Sequence, residues 1–309
     1  MIVALYTHPA SRRHHMPQGH AESVARIEAV ESALAGAKSL VRIDCPEAAQ
    51  DDLLRCHPKS YLEWLDTVSP QQGFAALDPD TYMSPGTLEA ASRAVGGNCA
   101  AVDLVLSGEV SSAFVATRPP GHHAEPETPM GFCLFGNIAI AALRALDVHG
   151  LSRIAVVDFD VHHGNGTQAL LWNEDRVRFV STHQMPLWPG SGAPGEVGAH
   201  GQIQNVPLPP GTGGAAYRKI FERDILPGLH DYEPELVLVS AGFDAHTRDP
   251  LANLDLETDD FAWTTARLCE LARDHADNRL VSTLEGGYDL TALAASTAAH
   301  VRVLQEFAP

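Results

Sequence analysis

The chain has 309 residues, of which 45% are hydrophobic and 19% charged, a composition typical of a globular protein with an ordinary core. It contains no uncharged apolar run of about 18 residues, so we expect no membrane span. The formal net charge of −18 leads us to expect no nucleic-acid partner and favours cationic substrates, although solubility alone would also explain an acidic surface.

The first residues of the chain predict a strand and not a secretory signal. They lack a basic segment and a long apolar segment, the two parts that a signal peptide needs. Five cysteines are scattered along the sequence without a Cys-x-x-Cys pair. This usage indicates reduced thiols, and we expect a cytoplasmic protein.

Short apolar runs alternate with segments of helical spacing along the whole sequence. The predicted strands are residues 2–6, 113–116, 154–157, 177–180, 236–239 and 280–283. The clearest predicted helices are residues 21–34, 87–106, 138–148, 259–273 and 290–306. This alternation predicts an α/β fold with a parallel sheet covered on both faces. No linker, composition shift or repeat divides the sequence, which predicts a single domain over residues 1–309.

Polar residues follow five of the predicted strands. These residues are 118–123, 158–165, 181–183, 242–244 and 285–288. Ligands of parallel α/β sheets bind at the carboxyl ends of the strands. We therefore expect the five polar segments to converge on one site.

A metal site is predicted from the segment Asp-Phe-Asp-Val-His-His-Gly-Asn-Gly (158–166). In extended backbone, Asp160 and His162 point to the same side, since they are two residues apart. The most plausible third ligand is Asp244, where Gly242 would allow a close approach of the backbone. One imidazole and two carboxylates leave positions open for water and substrate, as in a catalytic metal site.

Acid–base chemistry is predicted for His122 and His123, in a Pro-Pro-Gly loop. Adjacent side chains diverge, so both rings need hydrogen-bonding partners. Asp158 would serve one ring and Asn165 the other, and the carboxylate would raise imidazole basicity more than the amide.

Tyr288 is a candidate hydrogen-bond donor to negative charge that develops on a carbonyl oxygen, as in an oxyanion hole. Gly286 and Gly287 precede it and would give its loop freedom to move. A buried core tyrosine is the competing interpretation.

Six motifs, in chain order, resemble those of the histone deacetylase superfamily, especially its class II branch, bacterial deacetylases and acetylpolyamine amidohydrolases. They are Arg-Pro-Pro-Gly-His-His-Ala (118–124), Gly-Phe-Cys (131–133), the 158–166 segment, Ser-Thr-His (181–183), Ala-Gly-Phe-Asp (241–244) and Glu-Gly-Gly-Tyr (285–288). The resemblance implies the arginase–deacetylase α/β fold, a single domain around an eight-stranded parallel sheet flanked by helices. It also implies a zinc-dependent amidohydrolase acting on N-acetylated amines.

The resemblance also implies roles for individual residues. Asp160, His162 and Asp244 would bind one catalytic zinc ion. His123 would act as general base and then general acid, with His122 as its electrostatic partner. Tyr288 would polarise the acetyl carbonyl.

A tunnel and a second ion are implied as well. Gly131 and Phe132 would line the acyl tunnel opposite Trp188, where the family commonly has Phe, and Asp80 would grip substrate at the rim. The remaining substrate-contacting positions are Leu251 and Gly286. A structural potassium ion would be bound by Asp158 and Ser181, together with the backbone carbonyls of Asp160, His162 and Thr182.

Two regions depart from the family pattern, and no role is predicted for them. His20-Ala21-Glu22 stands where His-Pro-Glu is usual, and Gly136 replaces a frequent Asn.

The sequence leaves the acetylated amine open between protein lysine and small molecules such as acetylpolyamines. The polyamine branch has Glu where this chain has Leu251, which favours acetyl-lysine, whereas Asp80 and the net acidity favour a cation. A two-metal arginase-like hydrolase would need further bridging carboxylates, and a non-catalytic acetyl-ligand binder would be expected to lose Tyr288, His123 or a metal ligand. A homo-oligomer is compatible with the sequence.

Overall fold

The computed structural model describes residues 3–308; Ile2, the first residue of the first predicted strand, lies outside them. Within this range the ten strands are β1 Val3–Thr7, β2 Leu40–Asp44, β3 Ala75–Ala76, β4 Tyr82–Met83, β5 Ser112–Val115, β6 Ile154–Asp158, β7 Val177–Gln184, β8 Ile203–Leu208, β9 Leu236–Ala241 and β10 Leu280–Leu284. The ten α-helices are α1 Val24–Leu34, α2 Gln50–Leu53, α3 Lys59–Val68, α4 Thr87–Leu106, α5 Asn137–His149, α6 Asn165–Leu170, α7 Gly214–Ile220, α8 Leu226–Tyr232, α9 Thr258–His275 and α10 Leu290–Phe307.

Eight strands form one sheet in the order β2-β1-β5-β10-β9-β6-β7-β8, and every pairing in it is parallel. This confirms the predicted α/β fold with an eight-stranded parallel sheet. The apolar runs predicted six of these strands and missed the edge strands β2 and β8. Both edge strands carry polar residues, such as Arg42 and Asn205, so neither is a continuous apolar run. The remaining strands, β3 and β4, form a separate antiparallel pair.

Alternate residues of the strands pack on opposite faces of the sheet. On β6, Ala155 and Val157 pack in a core with Ile27 of α1, whereas Val156 packs in a second core with Val95 of α4. Helix α10 contacts both α1 and α9 on the first face, and α4 contacts α5 on the second. Helices therefore flank the sheet on both faces in a single α/β domain. Its extension over the whole of 1–309 remains a prediction.

The five predicted helices are present, with one substantial shift at an end. Helix α1 begins at Val24 and not at residue 21, because Ser23 is extended (φ −139°, ψ 162°) and Glu22 is buried in a loop. The short helices α2, α3, α6, α7 and α8 were not predicted, since segments of 4–10 residues show too few turns for a clear period.

The order of the sheet explains why polar segments from distant parts of the sequence meet. The five strands followed by polar segments, β5, β10, β9, β6 and β7, are consecutive in the sheet. Their carboxyl ends share one edge because all are parallel. No helix within residues 3–308 is long and apolar enough to span a membrane. All five cysteines are free and buried.

Candidate active site

Three side chains that could hold a metal ion meet beyond the ends of β6 and β9. The Nδ1 atom of His162 lies 3.1 Å from Asp160 Oδ1 and 3.1 Å from Asp244 Oδ2. One ligand atom from each residue lies within 4.8 Å of the others, and no further group of three or more such residues occurs in the described part of the chain. Both carboxylates are buried and His162 is partly exposed, so the cluster opens on one side.

Asp160 and His162 are brought together by a bend and not by the extended strand that the sequence predicted. Strand β6 ends at Asp158, and the two ligands lie in the bend that follows. The N–H of Asp160 donates to Asp158 Oδ1 at 3.0 Å, and the N–H of His162 donates to Asp160 Oδ1 at 2.9 Å. Two successive side-chain-to-backbone hydrogen bonds therefore shape the ligand loop, not the alternation of an extended strand.

Two glycines provide the space that the carboxylates occupy. A Cβ atom at Gly242 would lie 2.0 Å from Asp160 Oδ2, and one at Gly286 would lie 2.2 Å from Asp244 Oδ2. The N–H of Gly286 donates to Asp160 Oδ2 at 2.8 Å, and the N–H of Val161 donates to Asp244 Oδ1 at 2.9 Å. Any side chain at these glycines would displace the carboxylates.

The electrostatics of the cluster favour a cation. Burial raises the pKa of Asp244 to about 7, and the charge of Asp160 adds to this. Burial lowers the pKa of His162, but hydrogen bonds to Asp160 and Asp244 outweigh it and raise the pKa to about 10. Two buried carboxylates this close repel each other unless positive charge lies between them. The donor set fits a divalent ion with three protein ligands and open coordination positions.

The histidine pair takes its two partners from opposite ends of the 158–165 segment. His122 Nδ1 lies 2.9 Å from Asp158 Oδ2, and His123 Nδ1 lies 2.8 Å from Asn165 Oδ1. Both rings are buried. The sequence left open which ring takes which partner, and the structure gives the carboxylate to His122.

The two rings have opposite electrostatic environments. Burial lowers the pKa of His122, but the carboxylates of Asp160 and Asp158 outweigh it and raise the pKa well above its usual value. Burial lowers the pKa of His123 well below its usual value, and positive charge on His122 and His162 lowers it further. His122 is therefore favoured as imidazolium and His123 as the neutral ring, which accepts a proton.

The loop that carries Tyr288 is held by several contacts. Arg26 Nε donates to the carbonyl of Gly287 at 2.6 Å, and the Arg26 guanidinium lies 4.8 Å from the centre of the Tyr288 ring. The N–H of Tyr288 donates to Asp249 Oδ2 at 2.7 Å. These contacts tie the loop to α1 and to Asp249, and the mobility expected from its two glycines stays a prediction. Burial raises the pKa of Tyr288 well above its usual value, which keeps the phenol protonated.

A cavity of about 210 Å³ opens above these groups. It is lined by Asp80, His123, Gly131, Phe132, His162, Leu187, Trp188, Leu251 and Tyr288. The lining includes every residue predicted to contact substrate except Gly286, which lies behind the cavity against the carboxylates. Leu187 is an apolar member that the sequence did not predict.

Gly131 adopts a positive φ of 54° close to two rings of the cavity wall. A Cβ atom there would lie 2.5 Å from Cδ2 of His123 and 2.6 Å from the Trp188 ring. Trp188 itself is 42% exposed, with its ring centre 4.7 Å from that of His123. Glycine is therefore required where the wall passes closest to the histidine.

Asp80 is tied to the neighbouring wall through Thr81. The Thr81 hydroxyl donates to Asp80 Oδ1 at 3.3 Å and accepts the N–H of Phe132 at 3.0 Å. The backbone carbonyl of Asp80 accepts a hydrogen bond from His20 Nε2 at 2.9 Å. Burial, with the neighbouring Asp78, raises the pKa of Asp80.

The residues predicted to bind potassium lie together at the ends of β6 and β7. Asp158 is paired with Ser181 in the sheet, and both side chains are buried. The Thr182 hydroxyl contacts the carbonyl of Asp158 at 3.5 Å. Asp160 and His162 follow in the ligand loop.

Behind the Tyr288 loop lies a buried network of charged side chains that the sequence patterns did not predict. Both carboxylate oxygens of Glu22 contact Arg118, and Glu22 Oε1 accepts from Arg26 Nη1 at 3.1 Å. Glu285 was also assigned no role, although its Oε2 accepts the N–H groups of Gly121 and His122 at 2.7 and 3.2 Å. One signal was available: Glu22 and Arg26 are four residues apart, the spacing of a helical ion pair.

The sequence matches a family model over nearly its whole length. Residues 20–304 match the model described as "Histone deacetylase domain". A "Histone deacetylase-like amidohydrolase" of Pseudomonas aeruginosa is 43% identical over 277 residues, covering 87% of this chain and 73% of the relative. A "Probable deacetylase" of Archaeoglobus fulgidus is 37% identical over 298 residues, covering 94% and 82%.

Relatives also occur in plants. "Histone deacetylase 14, chloroplastic" of Arabidopsis thaliana is 38% identical over 312 residues, covering 94% of this chain and 74% of the relative. The solved structure described as "Crystal Structure of HDA15 HD domain" superposes with a TM-score of 0.92 at 32% identity, covering 98% of this chain and 89% of that one.

Proposed function

The chain belongs to the histone deacetylase family, and from this premise we propose that it is a zinc-dependent amidohydrolase that removes acetyl or related acyl groups from acetylated amines, preferentially acetyl-lysine side chains. The observation that carries the proposal is that His162, of the candidate metal cluster with Asp160 and Asp244, lines one cavity together with His123 and Tyr288.

Asp160, His162 and Asp244 would hold the zinc ion. Two carboxylates and one imidazole that converge in a partly enclosed site match the ligands that zinc prefers. When bound, zinc supplies Lewis-acid polarisation of the acetyl oxygen and a lowered pKa for water in the pocket. Iron(II) would suit the same donors, so metal analysis of the purified protein is part of the test.

His123 moves the proton. Its Nδ1 atom is bound to Asn165, so its Nε2 atom is the one available to a water molecule in the cavity. Nε2 would accept the proton of that water as it attacks the acetyl carbon, and would then donate it to the amine nitrogen as the C–N bond breaks. The products are acetate and the free amine.

His122 and Tyr288 would stabilise charge. The Asp158 carboxylate favours the positively charged form of His122. That positive charge would stabilise the negative charge that develops on the acetyl oxygen during the reaction. Tyr288 stays protonated at neutral pH, and its hydroxyl would donate a hydrogen bond to the acetyl oxygen as negative charge develops there. Because Arg26 and Asp249 already hold the backbone of this loop, the hydroxyl would need little reorganisation during the reaction.

The cavity wall suits a long alkyl chain. Phe132, Trp188, Leu187 and Leu251 supply apolar surface that the methylene groups of a lysine side chain would cover. Asp80, at the mouth, would accept hydrogen bonds from the backbone N–H groups of a peptide. An acetylpolyamine is the second candidate substrate, favoured by this carboxylate and by the net charge of −18.

The rival functions have less support. A two-metal hydrolase would need a second set of ligands, and the described residues 3–308 contain one group of three or more metal-ligating side chains. A non-catalytic binder of acetylated ligands would have no need to keep His123 and Tyr288 together. The potassium site at Asp158 and Ser181 and a cytoplasmic location, supported by the free cysteines, remain predictions.

Turnover on a panel of acetylated amines tests the proposal. Acetyl-lysine peptides, acetyl-lysine, N-acetylputrescine and N-acetylspermidine should be compared by kcat/KM, with acetate measured directly. Release of acetate from at least the peptides supports the proposal. No acetate from any of these substrates with zinc-loaded enzyme would contradict it.

A further inference from the structure

The partner of His123 is an amide, and an amide can face a ring nitrogen in two ways. Its oxygen accepts a hydrogen bond, whereas its NH₂ group donates one. Asp158, the partner of His122, has no such ambiguity, since both of its oxygens accept. Something must therefore select which end of Asn165 meets His123.

The tautomer of His123 depends on that selection. If Asn165 Oδ1 faces His123, Nδ1 carries the ring proton and Nε2 is free to accept another. If the NH₂ group faces His123, Nδ1 must accept, and the proton moves to Nε2. A ring with a proton on Nε2 cannot take one from water in the cavity.

Glu125 contacts the other end of the amide. Asn165 Nδ2 donates to Glu125 Oε1 at 3.0 Å while Asn165 Oδ1 lies 2.8 Å from His123 Nδ1. The weaker neighbours of Nδ2 are the Met130 sulfur and the His123 carbonyl, both at 3.4 Å, and both are acceptors. A reversed amide would bring its oxygen against a carboxylate oxygen, with no proton between the two.

We propose that Glu125 is a positioning residue for the general base. By accepting a hydrogen bond from the NH₂ group of Asn165, it turns the amide oxygen toward His123 and selects the His123 tautomer with the proton on Nδ1. This inference rests on the proposed function, in which His123 Nε2 accepts the proton of water. Glu125 itself belongs neither to the cavity lining nor to the candidate metal cluster.

The side chain of Glu125 is not required for its own turn. The turn is closed by backbone hydrogen bonds between Glu125 and Thr128, at 3.0 and 3.4 Å. The Glu125 side chain is half-buried and directed to Asn165. Glu127, in the same turn, is exposed, and its carboxylate accepts a hydrogen bond from the Ser60 hydroxyl at 3.4 Å. Glu127→Ala is thus a matched control, since it removes the same charge from the same turn without touching Asn165.

The kinetic test compares Glu125→Ala with Glu127→Ala. We expect Glu125→Ala to lower kcat about tenfold or more while KM stays within about twofold, because proton transfer and not substrate binding is affected. Glu127→Ala should match the parent. In an Asn165→Asp background, the Glu125→Ala change should leave kcat unchanged or raise it. The introduced aspartate would accept a hydrogen bond from His123 with either oxygen, so it needs no orientation, and removing Glu125 would relieve repulsion between two carboxylates.

A spectroscopic test is independent of activity. In metal-free protein labelled with ¹⁵N-histidine, the two ring nitrogens of His123 report which one carries the proton, and His123→Gln identifies their signals. We expect the Nδ1–H tautomer in the parent and a mixture with Nε2–H in Glu125→Ala. This result would stand even if no deacetylase activity were found, so failure of the proposed function is distinguishable from failure of this inference.

Two outcomes would overturn the role of Glu125. One is an unchanged His123 tautomer in Glu125→Ala together with kcat within twofold of the parent. The other is an equal loss of rate from Glu125→Ala in the parent and in the Asn165→Asp background, because an effect independent of amide orientation would indicate a general role in the turn.

Discussion

The carboxylate of Asp249 holds the backbone of Tyr288. Its Oδ2 atom accepts the N–H of Tyr288 at 2.7 Å and that of Asp289 at 3.4 Å, while its Oδ1 atom accepts the N–H of Leu251 at 3.0 Å. Asp249 is only 7% exposed. One buried side chain therefore links the tyrosine loop to the apolar rim of the cavity.

Replacing Asp249 with Ala should damage both stability and rate. Three backbone N–H groups lose a charged acceptor, which typically costs about 1.5–3 kcal/mol of unfolding free energy. The displaced tyrosine should also lower kcat about tenfold or more. Urea unfolding and steady-state kinetics measure the two effects. Asp231→Ala, at an exposed position on α8, should change neither; an Asp249→Ala variant as active as the parent would refute the positioning role.

Tyr288→Phe should fold normally and keep its metal but lose most of its rate. Loss of one oxyanion donor typically lowers kcat about 10²–10³-fold, roughly 3–4 kcal/mol of transition-state stabilisation. Tyr82→Phe is the control, since the Tyr82 hydroxyl donates to the carbonyl of Pro79 at 3.2 Å and Tyr82 does not line the cavity. A Tyr288→Phe variant within about threefold of the parent would remove this hydroxyl from the mechanism.

Sequence patterns located most of the sheet and predicted that Asp160, His162 and Asp244 would lie together, because both follow local rules. Continuous apolar runs predicted the six inner strands, and polar residues after strands predicted which segments would converge. The edge strands were missed because they lack that pattern. The order of the strands in the sheet could not be predicted from local sequence patterns either, because the pairing of β5 with β10 joins residues far apart in the sequence.

Contacts between distant loops account for what the sequence could not predict at the site. Neither the apolar pattern nor the motifs show that Glu22 lies against Arg118, or that Asp249 reaches Tyr288. The same holds for the choice of partners by His122 and His123, which depends on the bend after β6. The Gly286-Gly287 pair favoured a mobile loop, whereas the structure shows that Gly286 makes room for the Asp244 carboxylate and that the Gly287 carbonyl accepts a hydrogen bond from Arg26.

Glu22→Gln should destabilise the protein in a pH-dependent manner. Burial raises the pKa of Glu22, but Arg118 and His14 outweigh it and lower the pKa well below its usual value of 4.5. The charged carboxylate therefore stabilises the fold above about pH 4.5, and this contribution is lost as the pH falls through the lowered folded-state pKa. Breaking such a buried pair costs about 3–5 kcal/mol.

Urea unfolding of parent and Glu22→Gln at several pH values checks this. The difference in unfolding free energy should be largest near pH 7 and should shrink as the pH falls below about 4. A difference that is independent of pH would mean that the variant loses packing and not the charge.

Leu251→Glu should shift substrate preference toward acetylpolyamines. The Leu251 side chain lines the cavity and is 36% exposed, so a carboxylate there would meet a second ammonium group of a polyamine. We expect the ratio of kcat/KM for N-acetylspermidine to that for an acetyl-lysine peptide to rise about tenfold, or about 1.4 kcal/mol.

The control is Leu54→Glu, at an exposed leucine that does not line the cavity. It should leave the ratio unchanged. A parent enzyme that already prefers the polyamine by more than tenfold would contradict the acetyl-lysine preference.

The most direct test of the central claim is a zinc titration of metal-free protein, read out as acetate released from an acetyl-lysine peptide. In the proposed assignment Asp160, His162 and Asp244 hold one ion, so activity should rise linearly with added zinc and stop rising at one equivalent per chain. Asp244→Ala, which lacks one ligand, should bind zinc weakly and stay inactive over the same range. Full activity without metal, a break at two equivalents, or stoichiometric zinc in an active Asp244→Ala variant would contradict the account.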